Sequence, residues 1–308
     1  MRTIVPSYYR QFRCIAGACR HSCCIGWEID IDEETLAQYR TLPGALGEQL
    51  RDGIEETVDG AHFRLGEDER CPMLRADGLC EIICQQGEDA LCQICADHPR
   101  FRFEMADRTE MGLGLCCEAA AALILAQTEP PKLTVLDDDG AEEPADPDET
   151  DMLAMRDMLM DALFDDNQPL AQRIGRLCAL VDADMDETPL SVWAERLAGL
   201  ERLDEAWSAQ LTRLAQIPKQ PLDDPAWETP FLQLAAYFLF RHLPGALDDG
   251  LYAERTLFAL LSCRILHRLL AMQEHPTMEA LAELARMYSA EIEYSDENLQ
   301  AVLDWLTP

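Results

Sequence analysis

Thirteen cysteines stand in this 308-residue chain, and eleven of them lie between Cys14 and Cys117. The first group reads Cys14-x4-Cys19-x3-Cys23-Cys24, with a turn residue at Gly17. Thiolates packed this densely can converge on one ion or cluster, and as soft donors they select iron–sulfur clusters or zinc. Spacing leaves the two metals open, although the diverging neighbours Cys23-Cys24 suit zinc's usual paired spacing poorly. The second group is Cys71, Cys80, Cys84, Cys92 and Cys95. Cys71 precedes a proline, as cluster cysteines often do; Cys80 follows the turn signal Asp77-Gly78; Cys92-x2-Cys95 has a zinc or redox spacing. Cys116-Cys117 opens a helical pattern, where the helix dipole favours a thiolate. Cys178 and Cys263 stand alone in helical patterns and read as core. A small buried residue is the competing reading for Cys84, Cys92 or Cys117 taken singly.

Other polar residues give weaker signals. His21 sits inside the first group, as a ligand or as an exposed loop histidine. Arg100, in His98-Pro99-Arg100, suits the carboxylate of a ligand, or a nearby acid. Trp27 and Tyr39 read as core or as a cage for a methyl-ammonium group. Glu28, Asp30 and Asp32 form an acidic row that either receives a lysine or is the solvated face of a strand.

Composition bounds the class. The first ten residues lack the apolar stretch of a secretion signal, and the longest apolar run, around Cys117–Gln127, is far too short to span a membrane. The expectation is therefore a cytoplasmic protein with no membrane association, where cysteines stay reduced and a cysteine cluster reads as metal-binding. Net charge is −33, from 58 acids against 25 bases. Such a surface repels phosphate backbones, and no local basic patch offsets it, so no nucleic acid is expected as partner.

The elements that must position these groups fall into three zones: a cysteine-rich α+β domain at 1–127, an acidic, proline-rich linker at 128–150, and an α-helical domain at 151–308. The fold class expected is mainly α, a small metal-binding domain followed by a helical bundle. In the first zone, Trp27–Asp32, His62–Leu65 and Phe101–Met105 read as strands, and Glu33–Tyr39, Leu91–Ala96 and Glu118–Gln127 as helices. The linker carries four prolines and nine acids, too little apolar material for a core. In the third zone helices are expected over Met152–Phe164, Pro169–Asp182, Leu190–Leu200, Asp204–Ile217, Pro230–Leu243, Leu251–Gln273, Pro276–Ser289 and Asp296–Leu306. Of these, Pro230–Leu243 is apolar nearly all round and reads as the central buried helix.

Four segments together carry a resemblance. They are FRCIAGACRHSCCIGWEIDID at 12–32, CPML-x5-CEI at 71–82, GEDALCQICADHPR at 87–100 and LCCEAAAALIL at 115–125. In order and spacing they resemble the flagellin lysine-N-methylase family, over roughly residues 8–127. The resemblance implies transfer of a methyl group from S-adenosylmethionine to surface lysines of flagellin or a similar exported filament protein, with involvement of a [4Fe-4S] cluster. Position by position it implies Cys14, Cys19, Cys23, Cys24, Cys71, Cys80, Cys95 and Cys116 as metal ligands. Cys84, Cys92 and Cys117 stand where the family has other residue types. Eight thiols exceed one cluster's need, so either two metal sites exist or some thiols have other roles. Arg100 is the residue expected to bind the cofactor.

The chain departs from other methyltransferases. Gly112-Leu-Gly114 is too short for a dinucleotide-type loop. Cys19-x3-Cys23-Cys24 only approaches the C-x3-C-x2-C triplet of radical S-adenosylmethionine enzymes. In-line attack by a neutral lysine amine, its pKa lowered by desolvation, needs neither. The rival expectation is a non-catalytic iron–sulfur or zinc module, structural or redox-sensing, that docks a partner protein.

Overall fold

Apolar residues at helical spacing dominate the chain beyond 146, and helices form there accordingly; among the described residues, short strands are confined to the first 138. The computed structural model describes residues 1–58, 60–141 and 143–307. Its strands are β1 (Arg2–Pro6), β2 (Asp30–Ile31), β3 (Ile54–Glu56), β4 (Ala61–Phe63), β5 (Arg100–Glu104), β6 (Arg108–Leu113) and β7 (Leu133–Asp138). Five helices precede β7: α1 (Glu33–Thr41), α2 (Gly44–Gly53), α3 (Glu81–Gln86), α4 (Gln93–Asp97) and α5 (Glu118–Leu125). After it come α6 (Pro147–Leu163), α7 (Leu170–Leu180), α8 (Leu190–Ala198), α9 (Glu205–Leu214) and α10 (Glu228–His242). The last four are α11 (Ala246–Asp249), α12 (Tyr252–Ala271), α13 (Met278–Tyr288) and α14 (Asp296–Leu306). Among the described residues, no helix is long and apolar enough to cross a membrane.

The chain divides into two units. The cysteine unit holds Arg13–Arg100 and Cys117–Ala119; the helical unit holds Met1–Phe12, Phe101–Cys116 and the chain from Ala120 onward. This line differs from the boundary expected at residue 127. The reason is pairing: β1 runs parallel to β6 and antiparallel to β7, in a sheet ordered β5-β6-β1-β7. Both ends of the first zone are thereby held with the helices.

The expected linker is corrected at its centre. Residues 133–138 form β7, with Val5 opposite Thr134 and Pro6 opposite Leu133. Acidic composition hid the strand, because it is held by backbone pairing while Leu133 and Val135 stay exposed. At the linker's end, Asp146 accepts from the N–H groups of Asp148 and Glu149 and starts α6 at Pro147, so the last four residues of the span expected for the linker are helical. Glu142, within that span, and Pro308, at the end of the expected third domain, lie outside the described residues.

In the helical unit, α10 is buried over most of its length, as its all-round apolar pattern predicts, and α12 likewise. Caps explain the boundaries: Asp204, Thr277 and Ser295 accept first-turn N–H groups of α9, α13 and α14. Two buried carboxylates of this unit are paired. Arg156 on α6 makes a two-pronged contact with Glu110 on β6, at 2.5 and 2.7 Å. Glu293 accepts from His242 Nε2 at 2.6 Å and from the Tyr237 hydroxyl at 3.1 Å.

In the cysteine unit, β2, β4 and β3 form a small antiparallel sheet. Its core gathers Ile29, Ile31, Tyr39, Leu50, Phe63 and Met73 from the sheet, α1, α2 and the loop after Cys71. This apolar nucleus is what positions the thiols.

Candidate thiol metal centre

Five cysteines pack on that one core: Cys71 and Cys92 inside it, and Cys24, Cys80 and Cys95 against it. Backbone hydrogen bonds bring their segments together. The Cys71 N–H donates to the Cys24 carbonyl at 2.8 Å, and Ile25 pairs with Arg70 as an antiparallel bridge. Leu74 bridges to Cys80, and the Glu81 N–H donates to the Met73 carbonyl at 2.8 Å. Cys80 and Cys92 each occupy the N-cap position of a helix, α3 and α4. Cys95 follows one turn into α4, on the same side as Cys92.

Asp32 sets α4 in place. One oxygen accepts from Thr35 N–H and caps α1; the other accepts from Gln93 N–H, the first residue of α4, both at 2.9 Å. Burial pushes this carboxyl up, but the Gln93 and Thr35 donors outweigh it and hold it below the usual aspartate range. Asp32 is therefore a double cap, not part of a lysine-receiving row. Asp30 is exposed, and Glu28 stands 3.8 Å from His62.

Burial and nearby polar groups set how readily each sulfur ionises. Burial pushes the Cys71 thiol up to about 12, against the pull of the Met73 N–H. Burial likewise raises Cys80, against the Ile83 and Ile82 N–H groups at the start of α3. Cys92 is lowered by a hydrogen bond from the Cys95 thiol and, beyond its own burial, by the Cys95 N–H; Cys95 is pushed up by the same shared bond and by burial. Cys24 is lowered to about 7, first by a hydrogen bond from Cys23 and then, against burial, by the Ser22 hydroxyl and the Arg70 charge. Cys95 is within electrostatic reach of Cys24 and Cys71, and Cys71 of Cys24, Cys80 and Cys92. All are free thiols.

A second gathering lies in the same unit. Cys23 is within electrostatic reach of Cys14 and Cys117, and Cys19 of Cys117. The Cys19 thiol donates to the His21 carbonyl at 3.1 Å and to Glu118 at 3.7 Å. Glu118, which opens α5, also takes the Arg20 backbone N–H at 3.0 Å and its guanidinium at 2.9 Å. Gly17 is needed where this loop crosses the Asp77-Gly78 turn: a Cβ there would stand 2.8 Å from the Asp77 carbonyl oxygen.

Of the eight cysteines expected as ligands, the fold brings Cys24, Cys71, Cys80 and Cys95 onto one core and Cys14, Cys19 and Cys23 into the second gathering. Cys116 lies in the helical unit beside Tyr294 and Arg241. Cys92, set aside by the family pattern, sits within the core, and Cys84 is exposed. Among the described residues, no three Cys, His, Asp or Glu side chains already stand at metal-holding spacing. The donor set is nonetheless all sulfur, carried on one apolar core, with Cys80 and Cys92 at the N-terminal ends of two helices. That chemistry fits a soft, thiolate-bound centre.

The remaining candidates are placed as follows. Tyr39 is core, its hydroxyl donating to the Ala90 carbonyl at 2.8 Å. Trp27 donates to the Cys23 carbonyl at 2.7 Å and stands 6.0 Å from the His98 ring. Burial, with Arg100 nearby, lowers His98 to about 4. Arg100 donates to the Ala96 carbonyl near the end of α4, at 3.1 Å. Sequence reasoning passed over Glu118 as a thiol partner, although it adjoins Cys117 in the fourth segment.

Comparison with known proteins gives three related results. Lysine-N-methylases of Salmonella typhimurium strain LT2 and Salmonella choleraesuis strain SC-B67 are each 26% identical over 126 residues, 39% of this chain and 31% of theirs. The flagellar biosynthetic protein FliU of Salmonella muenchen is 26% identical over 126 residues, covering 75% of its own length. The chain thus spans under a third of the length of the lysine-N-methylases it matches. No family model matches, and no solved structure matches.

Proposed function

Proceeding from a distant relationship to the lysine-N-methylases, we propose that this chain methylates lysine side chains of a protein, with flagellin or a similar exported filament subunit as substrate. The relationship is the observation that carries the reading. The feature of the chain's own structure that accords with it is the five-thiol core. In this reading Cys24, Cys71, Cys80 and the Cys92–Cys95 pair supply the ligands of an iron–sulfur centre, and Cys14, Cys19, Cys23 and Cys117 form a second thiol set. S-adenosylmethionine supplies an electrophilic methyl group, and we assign its carboxylate to Arg100, whose planar guanidinium suits it. The acceptor is a lysine amine, which must be uncharged to attack; burial away from water lowers its pKa and favours that form. Asp32 holds α4, and with it Cys92 and Cys95, in place.

A zinc-held, non-catalytic module that docks a partner is the second reading. It is favoured by the Cys92-x2-Cys95 spacing at the start of α4, a spacing zinc uses equally. Two measurements separate them. Anaerobically purified chain analysed for iron, sulfide and zinc, with its visible absorbance, distinguishes the metals. Mass spectrometry of flagellin incubated with the chain and S-adenosylmethionine distinguishes enzyme from module: +14 Da increments on lysine support the first reading (~14 Da per methyl, elementary mass), and unmodified flagellin with a fully metal-loaded chain overturns it.

A further inference from the structure

The helical unit contains a cavity of about 610 Å³ that neither thiol group touches. That volume lies within the range of one small organic ligand. Its walls include the aromatic side chains of Tyr8, Phe164, Tyr237 and Phe240, and its rim carries Asp157 and Asp161, one turn apart on α6 and exposed. The only cationic side chain lining it is Arg156, whose guanidinium is already neutralised by Glu110 and lies 5.0 Å from the centre of the Phe240 ring. The cavity therefore presents uncompensated negative charge over an aromatic, largely apolar wall.

Tyr8 gives the second, independent observation. It is only 5% exposed, it lines the cavity, and its hydroxyl has no hydrogen-bond partner among the described residues. Gln233, also buried at the wall, donates its amide to the Glu129 carbonyl at 2.9 Å, which leaves its side-chain oxygen as a further acceptor. A second hollow, of about 700 Å³ along α7, lacks aromatic side chains among its lining residues and is shallower in chemistry.

We propose that this cavity binds an organic cation carried on an apolar stem, the stem against the aromatic wall and the charge toward Asp157 and Asp161. Aromatic faces and carboxylates recognise that pairing of groups, whereas an anion or a neutral sugar meets repulsion or unmatched apolar surface. Two sources share the chemistry: the ammonium of a lysine side chain and the sulfonium of S-adenosylmethionine. The choice between the sources rests on the methyl-transfer reading; the cation site does not.

The test is equilibrium binding to the full, metal-loaded chain, measured by calorimetry with three probes. Nα-acetyl-lysine amide carries the ammonium, S-adenosylmethionine the sulfonium, and S-adenosylhomocysteine is the latter's analogue with a neutral sulfur. Variants are D157N/D161N, on exposed positions that leave folding intact, and Phe164→Ala. The expected result is that one of the two cationic probes binds and weakens at least tenfold in D157N/D161N and in Phe164→Ala, by the order of one charge pair or aromatic contact. Binding of the lysine probe marks an acceptor site, and variant-sensitive binding of S-adenosylmethionine in preference to its neutral analogue marks a cofactor site in this cavity in place of the one assigned to Arg100. The proposal is overturned if neither cationic probe binds, or if binding is unchanged in both variants. Because flagellin methylation is scored separately, active enzyme without probe binding here would sink the cation site and leave the methyl-transfer reading standing.

Discussion

Asp32 ties α1 to the helix that carries Cys92 and Cys95, so its removal is a direct way to disturb the thiol core from outside it. Asp32→Ala deletes both acceptors and leaves the N–H groups of Thr35 and Gln93 without side-chain partners. One lost N-cap costs ~1 kcal/mol. The two caps serve different helices, so the losses add, to about 2 kcal/mol in total. Read helix by helix, ~1 kcal/mol is about a fivefold rise in local opening. Hydrogen exchange followed by mass spectrometry should therefore show faster exchange in α1 and α4, with β7 and α10 unchanged. Asp32→Asn keeps one acceptor oxygen and should spare one of the two helices. The pH dependence has a definite sign. Since the folded carboxyl is held below its ordinary value of 3.8, its contribution is complete above that value and is lost as pH falls through the lower folded one. The difference between the wild-type chain and Asp32→Ala should shrink in that acid range and stay constant above it. Faster exchange in α1 alone would refute the double-cap role, because it would leave Gln93 independent of Asp32.

Further outcomes follow from other contacts. Arg156→Met leaves the Glu110 carboxylate buried and unpaired, which should destabilise the helical unit by ~3–5 kcal/mol in urea titration, and the added change Glu110→Leu should return most of the loss. Gly17→Ala forces a Cβ against the Asp77 backbone and should cost ~1–3 kcal/mol, with Cys14 and Cys19 alkylated faster than in the wild-type chain. Metal loading should protect Cys24, Cys71, Cys80, Cys92 and Cys95 together from alkylation, while exposed Cys84 stays reactive; peptide mapping that finds these five protected to unrelated extents would break the set apart.

Patterns confined to one element were legible. The eight expected helices beyond residue 150 all form, because each carries its own apolar pattern at helical spacing, and four of them a side-chain cap as well. Phe101–Met105 alternates, and β5 lies there. The rest depended on partners distant in sequence. Arg2–Pro6 is too short to show a period, and it becomes a strand because β6 and β7 flank it. Gly44–Gly53, with Pro43 before it and three glycines within, gave no helical expectation, yet it folds as α2 because Leu46 and Leu50 bury on one face. The candidate site divides the same way. That cysteines cluster is visible in the spacing, but that Cys92 lies in the core and Cys116 in the other unit is a matter of chain path. The cavity was invisible, since its lining comes from β1, α5, α6, α10 and the segment before β7.

The placement of backbone donors on sulfur bears on what the five-thiol core is for. Cysteine is a good small hydrophobe, and five thiols on an apolar nucleus could serve packing alone. Packing does not require N–H groups beside the sulfurs. A neutral thiol is a weak acceptor, so an N–H group beside it gains little. A thiolate is a strong acceptor, and N–H donors are how proteins tune thiolate-bound centres. Without a cation, however, burial opposes ionisation, and Cys71 is pushed to about 12. The two tendencies conflict only in the metal-free chain. A soft cation reconciles them: it supplies the charge that burial lacks and makes the N–H groups of Met73, Ile82 and Ile83 worthwhile. Binding should therefore release protons, chiefly from the Cys71, Cys80 and Cys95 thiols, and calorimetry in buffers of different ionisation enthalpy measures that release directly. Metal uptake without proton release would mean that the sulfurs were already ionised, and the N–H donors would need another explanation.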